Sequence, residues 1–187
     1  MLTVGDKIEK FSVTGIKPGA LSGDDAFMDI TEESFKGQWK VIVYYPKDFT
    51  FVCPTEIVAY DKLNKDFADR DARLLIGSTD NEFCKIAWKN AHEGLKATSS
   101  WFFADTQRWN SNAGENLSLI EQLGVFYAPA GAALRATFIV DPDNVIQHVT
   151  VNNLNVGRSP EETLRVLDAL QTGELCACNR AVGGETL

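Results

Sequence analysis

The chain has 187 residues, of which 44% are hydrophobic, and a formal net charge of −8 at pH 7. This length can bury one hydrophobic core, so we expect a single domain over residues 1–187, with its core in 2–172 and a C-terminal tail in 173–187. The acidity argues against a nucleic-acid surface, and no apolar stretch approaches the roughly 20 residues that a membrane span requires.

Strands and helices are predicted to alternate along the chain. Residues 2–16 are predicted to form an N-terminal hairpin that ends at the Pro18-Gly19 break. The elements that follow are predicted as a strand at 39–45, a helix at 54–69, a strand at 72–78, a helix at 82–92 that closes near Gly94, a strand at 101–104, strands at 134–140 and 145–151, and a helix from Pro160 to Gly173.

The last three elements have distinct boundary signals. The run Asp141-Pro142-Asp143-Asn144 predicts a turn between two strands, and Ser159-Pro160-Glu161-Glu162 predicts a helix start as a capping box. A tight turn joins antiparallel strands, whereas the earlier strand-helix-strand crossovers join parallel ones. The order therefore predicts an α/β fold with a mixed sheet, and several such arrangements fit the pattern alone.

One cysteine, Cys53, lies where a predicted strand gives way to a helix. The apolar residues after it recur with the spacing of one helix face, and Pro54 fits the first helical position. Cys53 is then the predicted N-cap, where free N–H groups and the helix dipole favour the thiolate over the thiol. This position predicts a reactive nucleophile, and the alternative is a cysteine that is simply buried as a small hydrophobe.

Four cysteines occur, at positions 53, 84, 176 and 178. The first residues contain no apolar segment of the secretory type, so the expected location is the cytoplasm, where structural disulfides are uncommon. Zinc is disfavoured, because Cys176-Ala177-Cys178 lacks a second ligand pair and the two histidines lie elsewhere. We therefore expect neither a metal nor a cofactor.

The segment around Cys53 carries a longer motif. Pro46, Thr50 and Cys53 form the pattern P-x-x-x-T-x-x-C, in which the Thr50 hydroxyl can reach the sulfur or a bound oxygen. The whole run P-K-D-F-T-F-V-C-P-T-E at 46–56 resembles the peroxidatic loop of the typical two-cysteine peroxiredoxins, in the alkyl hydroperoxide reductase (AhpC) branch. This resemblance implies a thioredoxin-like fold, with a mixed central sheet flanked by helices.

A thiolate that reduces peroxide needs a fixed positive charge, both to keep the sulfur ionised and to stabilise charge as the O–O bond breaks. Arg135 is the candidate, because it opens the run R-x-T-F-I-V-D, which is similar to the peroxiredoxin strand that carries the catalytic arginine. Without that resemblance it would read as an ordinary surface arginine. Glu56 matches the family's P-T-E and is expected to orient the arginine in a supporting role.

The resemblance also implies the reaction. Cys53 attacks a peroxide oxygen and becomes a sulfenic acid, which then condenses with a resolving cysteine from the partner subunit. Cys176, in Gly173-Glu174-Leu175-Cys176, aligns with the resolving cysteine of the family. The usual proline after it is replaced here by Ala177-Cys178, a three-cysteine arrangement similar to that of actinobacterial members. We favour Cys176, and Cys178 is an auxiliary or alternative resolving thiol.

Expected partners follow from the same resemblance. They are hydrogen peroxide and alkyl hydroperoxides as substrates, a disulfide-reducing donor (thioredoxin, a flavoprotein reductase or an AhpD-like protein with C-x-x-C), and further copies of the chain in a ring of dimers, a decamer or dodecamer. The alternative function is a thioredoxin-like redox-sensing binding or chaperone module without peroxidase turnover. Such a module has no need for Pro46, Thr50, Cys53 and Arg135 together.

Several further features set this chain apart from the peroxiredoxins that it resembles. The segment 107–116 looks several residues longer than its equivalent in peroxiredoxins, either as a surface insertion or as a change in oligomer packing or partner docking. The Gly-Gly-Leu-Gly loop and the Tyr-Phe pair of eukaryotic members are absent from the sequence. Cys84, at the beginning of a predicted helix, has no matching family role and is interpreted as structural.

Overall fold

The computed structural model describes residues 1–106, 109–110, 115–116 and 118–187. Its strands are β1 Ser12–Ile16, β2 Phe27–Thr31, β3 Trp39–Tyr44, β4 Ala72–Ser78, β5 Trp101–Ala104, β6 Trp109–Asn110, β7 Glu115–Asn116, β8 Phe126–Tyr127, β9 Ala132–Ala133, β10 Arg135–Val140 and β11 Ile146–Asn152. Its helices are α1 Cys53–Lys62, α2 Asn64–Ala68, α3 Glu82–Ala91, α4 Glu93–Lys96, α5 Leu119–Leu123 and α6 Pro160–Thr172. Short 3-10 turns occur at Asp24–Ala26 and Ala128–Ala130.

Seven strands form one mixed sheet in the order β11-β10-β3-β4-β5-β1-β2. The strands joined by helical crossovers, β3 with β4 and β4 with β5, are parallel, and the remaining neighbours are antiparallel. This arrangement confirms the mixed sheet predicted from the order of elements. It also places β10 directly beside β3, so the start of β10 lies near the segment that follows β3.

Alternate residues of the central strands face opposite sides of the sheet, as the pleat requires. On one side Val41 and Val43 pack with apolar residues of α1, α2, α3, α4 and α6. On the other side Ile42 and Tyr44 pack with α5 and the N-terminal segment. Cys53 belongs to the first cluster, so the first residue of α1 is buried between the sheet and the helices.

The predicted N-terminal hairpin at 2–16 is wrong. Strand β1 pairs instead with β2 beyond Pro18-Gly19, and residue 19 takes the left-handed backbone of a turn glycine, with φ of 71°. The earlier residues run along the loop before β11, where Gly5 N donates to Ile146 O and Lys7 forms an isolated bridge with Val145. The Pro-Gly break therefore joins the two strands of the hairpin rather than ending it.

The predicted helix at 54–69 is divided into α1 and α2. Leu63 leaves the helical conformation, with φ of −94° and ψ of 5°, and α2 begins at the next residue. Phe67 nevertheless stays fully buried. Because the break preserves the apolar face, periodicity alone could not reveal it. The helix at 82–92 likewise ends at Ala91, and α4 follows it as a separate turn.

The two predicted boundary signals near the C-terminus are confirmed. Asn144 N donates to Asp141 O across the turn, at 3.1 Å. Ser159 Oγ accepts from the Glu162 N–H at 3.3 Å, and α6 ends at Gly173, whose φ is 67°. Helix α5 and the short strands β6 to β9 were not predicted. The longer segment at 107–116 falls mostly outside the described residues.

The helices were compared with the length and composition that a membrane span requires. Within the described ranges, none has the length and apolar character needed to pass through a bilayer.

Candidate active site

Cys53 is the first residue of α1 and is only 1% exposed. This corrects its prediction as the N-cap by one residue: Val52 precedes the helix, and its carbonyl accepts from the Thr55 and Glu56 N–H groups. Pro54, in the first turn, has no N–H to satisfy and suits such a helix start. The sulfur still lies in the first turn, where the helix dipole favours negative charge.

Arg135 lies against the sulfur. Its Nη1 is 3.5 Å from Cys53 Sγ, and both residues are buried. Arg135 is the first residue of β10, and its Nε donates to Leu154 O at 2.6 Å, which fixes the guanidinium in place. Since β10 pairs with β3, the sheet itself brings the strand start to the beginning of α1. A buried cation beside a thiol favours the thiolate.

Glu56 joins two arginines. Its Oε2 accepts from Arg135 Nη1 at 2.6 Å, and its Oε1 accepts from both Nε and the backbone N of Arg158 at 2.9 Å. Arg158 also donates to Ala136 O at 2.7 Å. Sequence reasoning missed Arg158, whose one local signal is its position just before the Ser159 cap. The Glu56 carboxylate therefore holds the same Arg135 nitrogen, Nη1, that lies against the Cys53 sulfur.

The pKa of Glu56 reflects this position. Burial acts to raise the pKa, but the hydrogen bonds and charge of Arg158, together with the charge of Arg135, outweigh it and lower the pKa below its ordinary 4.5. A folded-state pKa below the unfolded one stabilises the fold at pH above 4.5. That contribution is lost as the pH falls through the lowered pKa.

We expect Glu56→Gln to lower the free energy of unfolding by about 2 kcal/mol at neutral pH, since it removes a charged acceptor from two buried arginines. The difference between wild type and variant should shrink as the pH falls below the ordinary 4.5 of this carboxyl. Urea unfolding at a series of pH values measures it. Glu162→Gln, at a solvent-exposed pair with Arg165, is the matched control and should change little. A difference that stays constant with pH would contradict the expectation.

Two other predicted residues lie in the loop before α1. Pro46 is buried. The Thr50 hydroxyl donates to Lys47 O at 2.9 Å, so its single proton is not given to the sulfur in this conformation. The structure thus brings Cys53, Arg135 and Glu56 together, while the Thr50 hydroxyl bonds within its own loop.

The tail cysteines lie apart from Cys53, beyond the end of α6. All four cysteines of the chain are within the described ranges and are free thiols. Cys176 is half-buried, with its sulfur 3.5 Å from Thr172 Oγ1 and 3.7 Å from Ala169 O, whereas Cys178 is exposed. Both line a cavity of about 470 Å³ along α6. Asp168 Oδ2 holds the rest of the tail by accepting from Arg180 Nη1 at 2.7 Å and Gly183 N at 2.9 Å.

Cys84 is a poor nucleophile. Burial, together with the charge and hydrogen bonding of the nearby Asp48 carboxylate, raises the pKa of its thiol to about 11. In the described part of the chain, no group of three or more His, Cys, Asp or Glu residues has the arrangement of a metal site.

Comparison with known proteins gives consistent matches. Residues 4–149 match the AhpC/TSA family. The chain is 46% identical to alkyl hydroperoxide reductase C of Mycolicibacterium smegmatis, over 100% of this chain and 94% of that protein. It is 40% identical to peroxiredoxin TSA1-B of Candida albicans, over 88% of this chain and 83% of that protein.

Two solved structures extend the comparison. Mycobacterium bovis AhpC superposes with a TM-score of 0.81 at 42% identity, covering 96% of this chain and 98% of that one. The reduced 2-Cys peroxiredoxin of Plasmodium vivax superposes with a TM-score of 0.83 at 29% identity, covering 99% and 92% of the two chains. These matches confirm the thioredoxin-like fold that the resemblance in sequence implied.

Proposed function

The chain belongs to the AhpC/TSA family, and we propose that Cys53 performs the chemistry of this peroxiredoxin. The protein is a thiol-dependent peroxidase of the alkyl hydroperoxide reductase C branch; its relatives are named alkyl hydroperoxide reductase, peroxiredoxin and thioredoxin peroxidase. The redox-sensing or chaperone alternative is not favoured, because these relatives are named as enzymes. The observation that most supports Cys53 is the buried Arg135 Nη1 at 3.5 Å from its sulfur.

In the first step the Cys53 thiolate attacks one peroxide oxygen. The sulfur's electron pair forms the S–O bond, and the O–O bond breaks. The leaving oxygen takes the bonding pair and a proton, which gives water from hydrogen peroxide or an alcohol from an alkyl hydroperoxide. Cys53 is left as a sulfenic acid, two electrons more oxidised than the thiolate.

Arg135 stabilises both ends of this step. Its guanidinium lies next to the sulfur before the attack, and its planar fork can also hold the leaving oxygen as negative charge develops there. Glu56 and Arg158 act as positioning residues, because they fix Arg135 without contacting the sulfur. Because folding has already oriented the Arg135 guanidinium, the reaction needs no further free energy to reorganise it.

In the second step a tail thiol resolves the sulfenic acid. The thiol sulfur attacks the Cys53 sulfur, a disulfide forms, and the sulfenic oxygen leaves as water. Two cysteines must bring their Cα atoms to within roughly 7 Å to bond. Cys53 is buried at the start of α1 and Cys176 lies on a tail held against α6, so one or both must leave its place. We propose that the first turn of α1 unwinds and that the tail is released. We propose that the tail comes from the partner subunit.

We expect hydrogen peroxide to give an intermolecular Cys53–Cys176 disulfide, since Cys176 is the tail thiol that matches the family's resolving position. It appears as a reducible dimer on a denaturing gel, and peptide mapping identifies the bond. Cys176→Ser should remove most of this dimer, whereas Cys178→Ser, the matched control on the same tail, should keep it. A bond chiefly to Cys178 would reverse the assignment, and monomers alone would argue against resolution across subunits.

Peroxide substrates and reduction by a redox partner are supported by the family. The identity of the donor is a further proposal: a thioredoxin, a flavoprotein reductase or an AhpD-like protein would each reduce the exposed tail disulfide. Parallel turnover assays with each purified donor distinguish them. The location in the cytoplasm is likewise proposed, on the abundance of free thiols.

We also propose a ring of dimers as the assembled form. Support comes from apolar side chains exposed beside Cys53: Phe51 is 93% exposed and Phe49 is 56% exposed. Two exposed aromatic rings so close together provide an apolar patch suited to contact with another chain. Because both lie directly before the turn of α1 that we propose unwinds, oxidation should weaken the assembly. Sedimentation of the reduced and the oxidised protein measures this, and identical sizes in the two states would contradict it.

A further inference from the structure

Asp48 anchors the segment between β3 and Cys53 to the body of the protein. Residues 45–52, all of them described, form no regular helix or strand. Asp48 N donates to Asp80 Oδ2 at 2.7 Å, and its own carboxylate points into the core, where the side chain is 1% exposed. This residue lies five positions before the reactive cysteine and plays no part in the chemistry described above.

The partner of that carboxylate is Lys85, on α3. Its Nζ is 3.2 Å from Asp48 Oδ1, and the lysine side chain is 0% exposed. The same ammonium donates to Ser78 Oγ at 2.6 Å and to Tyr45 OH at 3.0 Å. All three of its donor protons therefore have acceptors, which a buried charge requires.

Tyr45, the first residue after β3, completes the cluster. Burial, followed by the charge of Asp48, raises the pKa of its hydroxyl well above the ordinary 10.0, so the hydroxyl keeps its proton. It donates that proton to Asp48 Oδ1 at 2.6 Å. Asp48 is therefore held from two sides. Tyr45 and Ser78, at the ends of the central strands, contact it from the sheet, and Lys85 contacts it from α3.

Immediately after Asp48 the backbone becomes strained and the side chains become more exposed. Phe49 has a left-handed φ of 54°, which is unfavourable for a non-glycine residue. Its ring is held by Trp88, also on α3, with the ring centroids 6.0 Å apart. Phe49 and Phe51 are otherwise exposed. Asp48 and Phe49 thus both contact α3 shortly before Cys53, and of these two contacts the Asp48–Lys85 ion pair is the buried one.

We infer that Asp48 and Lys85 are positioning residues for the peroxidase reaction, which stabilise the folded loop that holds Cys53 against Arg135. This inference rests on the proposed role of Cys53. Peroxide attack requires the loop to hold Cys53 against Arg135. Disulfide formation requires this loop and the first turn of α1 to release Cys53. An interaction made only in the folded loop shifts the equilibrium between the two, so its loss slows the first step and speeds the second.

Stopped-flow measurement of both steps tests the inference in Asp48→Asn, Lys85→Met and the double variant. The double variant leaves no unpaired buried charge, so it folds even if a single variant does not. We expect the rate constant with hydrogen peroxide to fall about tenfold, and disulfide formation to become several-fold faster, on the assumption that the ion pair shifts the loop equilibrium by about one decade. The single and double variants should show similar decreases in the rate constant with hydrogen peroxide, because all of them remove the same interaction.

Asp105→Asn is the matched control, since it removes a buried carboxylate that binds Tyr44 OH and the Ile120 N–H, outside the loop. It should lower the unfolding midpoint and leave both rates unchanged. Mass spectrometry of Cys53 gives a third readout: the Asp48 and Lys85 variants should need more peroxide than wild type to reach sulfinic acid. Unchanged rates, or two steps slowed alike, would overturn the inference. If wild type itself showed no oxidation of Cys53, the proposed function would fail instead.

Discussion

Replacing Cys53 with serine should abolish hydroperoxide reduction while the fold survives. A serine hydroxyl does not ionise at neutral pH and is a far weaker nucleophile than a thiolate. The change is nearly isosteric at a buried position, and serine is accepted well at a helix start. Consumption of hydrogen peroxide in the presence of a reducing donor measures the activity, and circular dichroism checks the fold.

Cys84→Ser is the control for that experiment. It makes the same chemical change at the start of α3, in a thiol whose pKa is raised to about 11. Turnover should therefore be kept. Retained turnover in Cys53→Ser, with loss in Cys84→Ser, would transfer the nucleophile's role to Cys84.

Replacing Arg135 with alanine should slow the reaction of Cys53 with peroxide at least about thirtyfold, which corresponds to roughly 2 kcal/mol of lost transition-state stabilisation. The reason is that Nη1, at 3.5 Å from the sulfur, is the cation nearest the reacting atoms among the described contacts. Arg135→Lys should recover part of the rate, because it keeps the charge and loses the fork. Stopped-flow fluorescence gives the second-order rate constant for each variant.

The fold should tolerate this change, since Glu56 keeps its hydrogen bonds to Arg158 when Arg135 is removed. Arg73→Ala is the control: Arg73, on β4, donates from Nε to Gln38 Oε1, away from the sulfur, and its loss should leave the rate unchanged. An Arg135→Ala rate equal to that of wild type would exclude the residue from the mechanism.

The residues of the candidate site were largely predictable from the sequence, because short motifs carry them. A strand, a motif and a helix start indicated Cys53, whereas Arg135 was identified by the resemblance of its strand, R-x-T-F-I-V-D, to that of peroxiredoxins. The two residues meet because β10 lies beside β3, a strand order that the sequence pattern alone left open. The turn at 141–144 and the Ser159 cap were likewise set by neighbouring residues within a few positions.

Features that depend on distant contacts were not predictable in the same way. Arg158 and Glu56 are 102 positions apart in the sequence, and no local motif around either residue predicts that they form an ion pair. Lys85 reads in sequence as a surface lysine on a helix, yet it is fully buried against Asp48. Buried charges contradict the usual pattern of polar residues outside, so only the assembled core reveals them. The wrong N-terminal hairpin has the same origin, because β1 pairs with a strand from beyond the Pro-Gly turn.

Trapping the sulfenic acid tests most directly whether Cys53 attacks the peroxide. In a Cys176→Ser/Cys178→Ser variant, no tail thiol remains to resolve the intermediate, so the sulfenic acid should persist. One equivalent of hydrogen peroxide followed by a 1,3-diketone reagent should leave its adduct on the peptide that contains Cys53, as read by mass spectrometry. An adduct on Cys84, or none at all while peroxide is consumed, would contradict the assignment of Cys53 as the peroxidatic thiol.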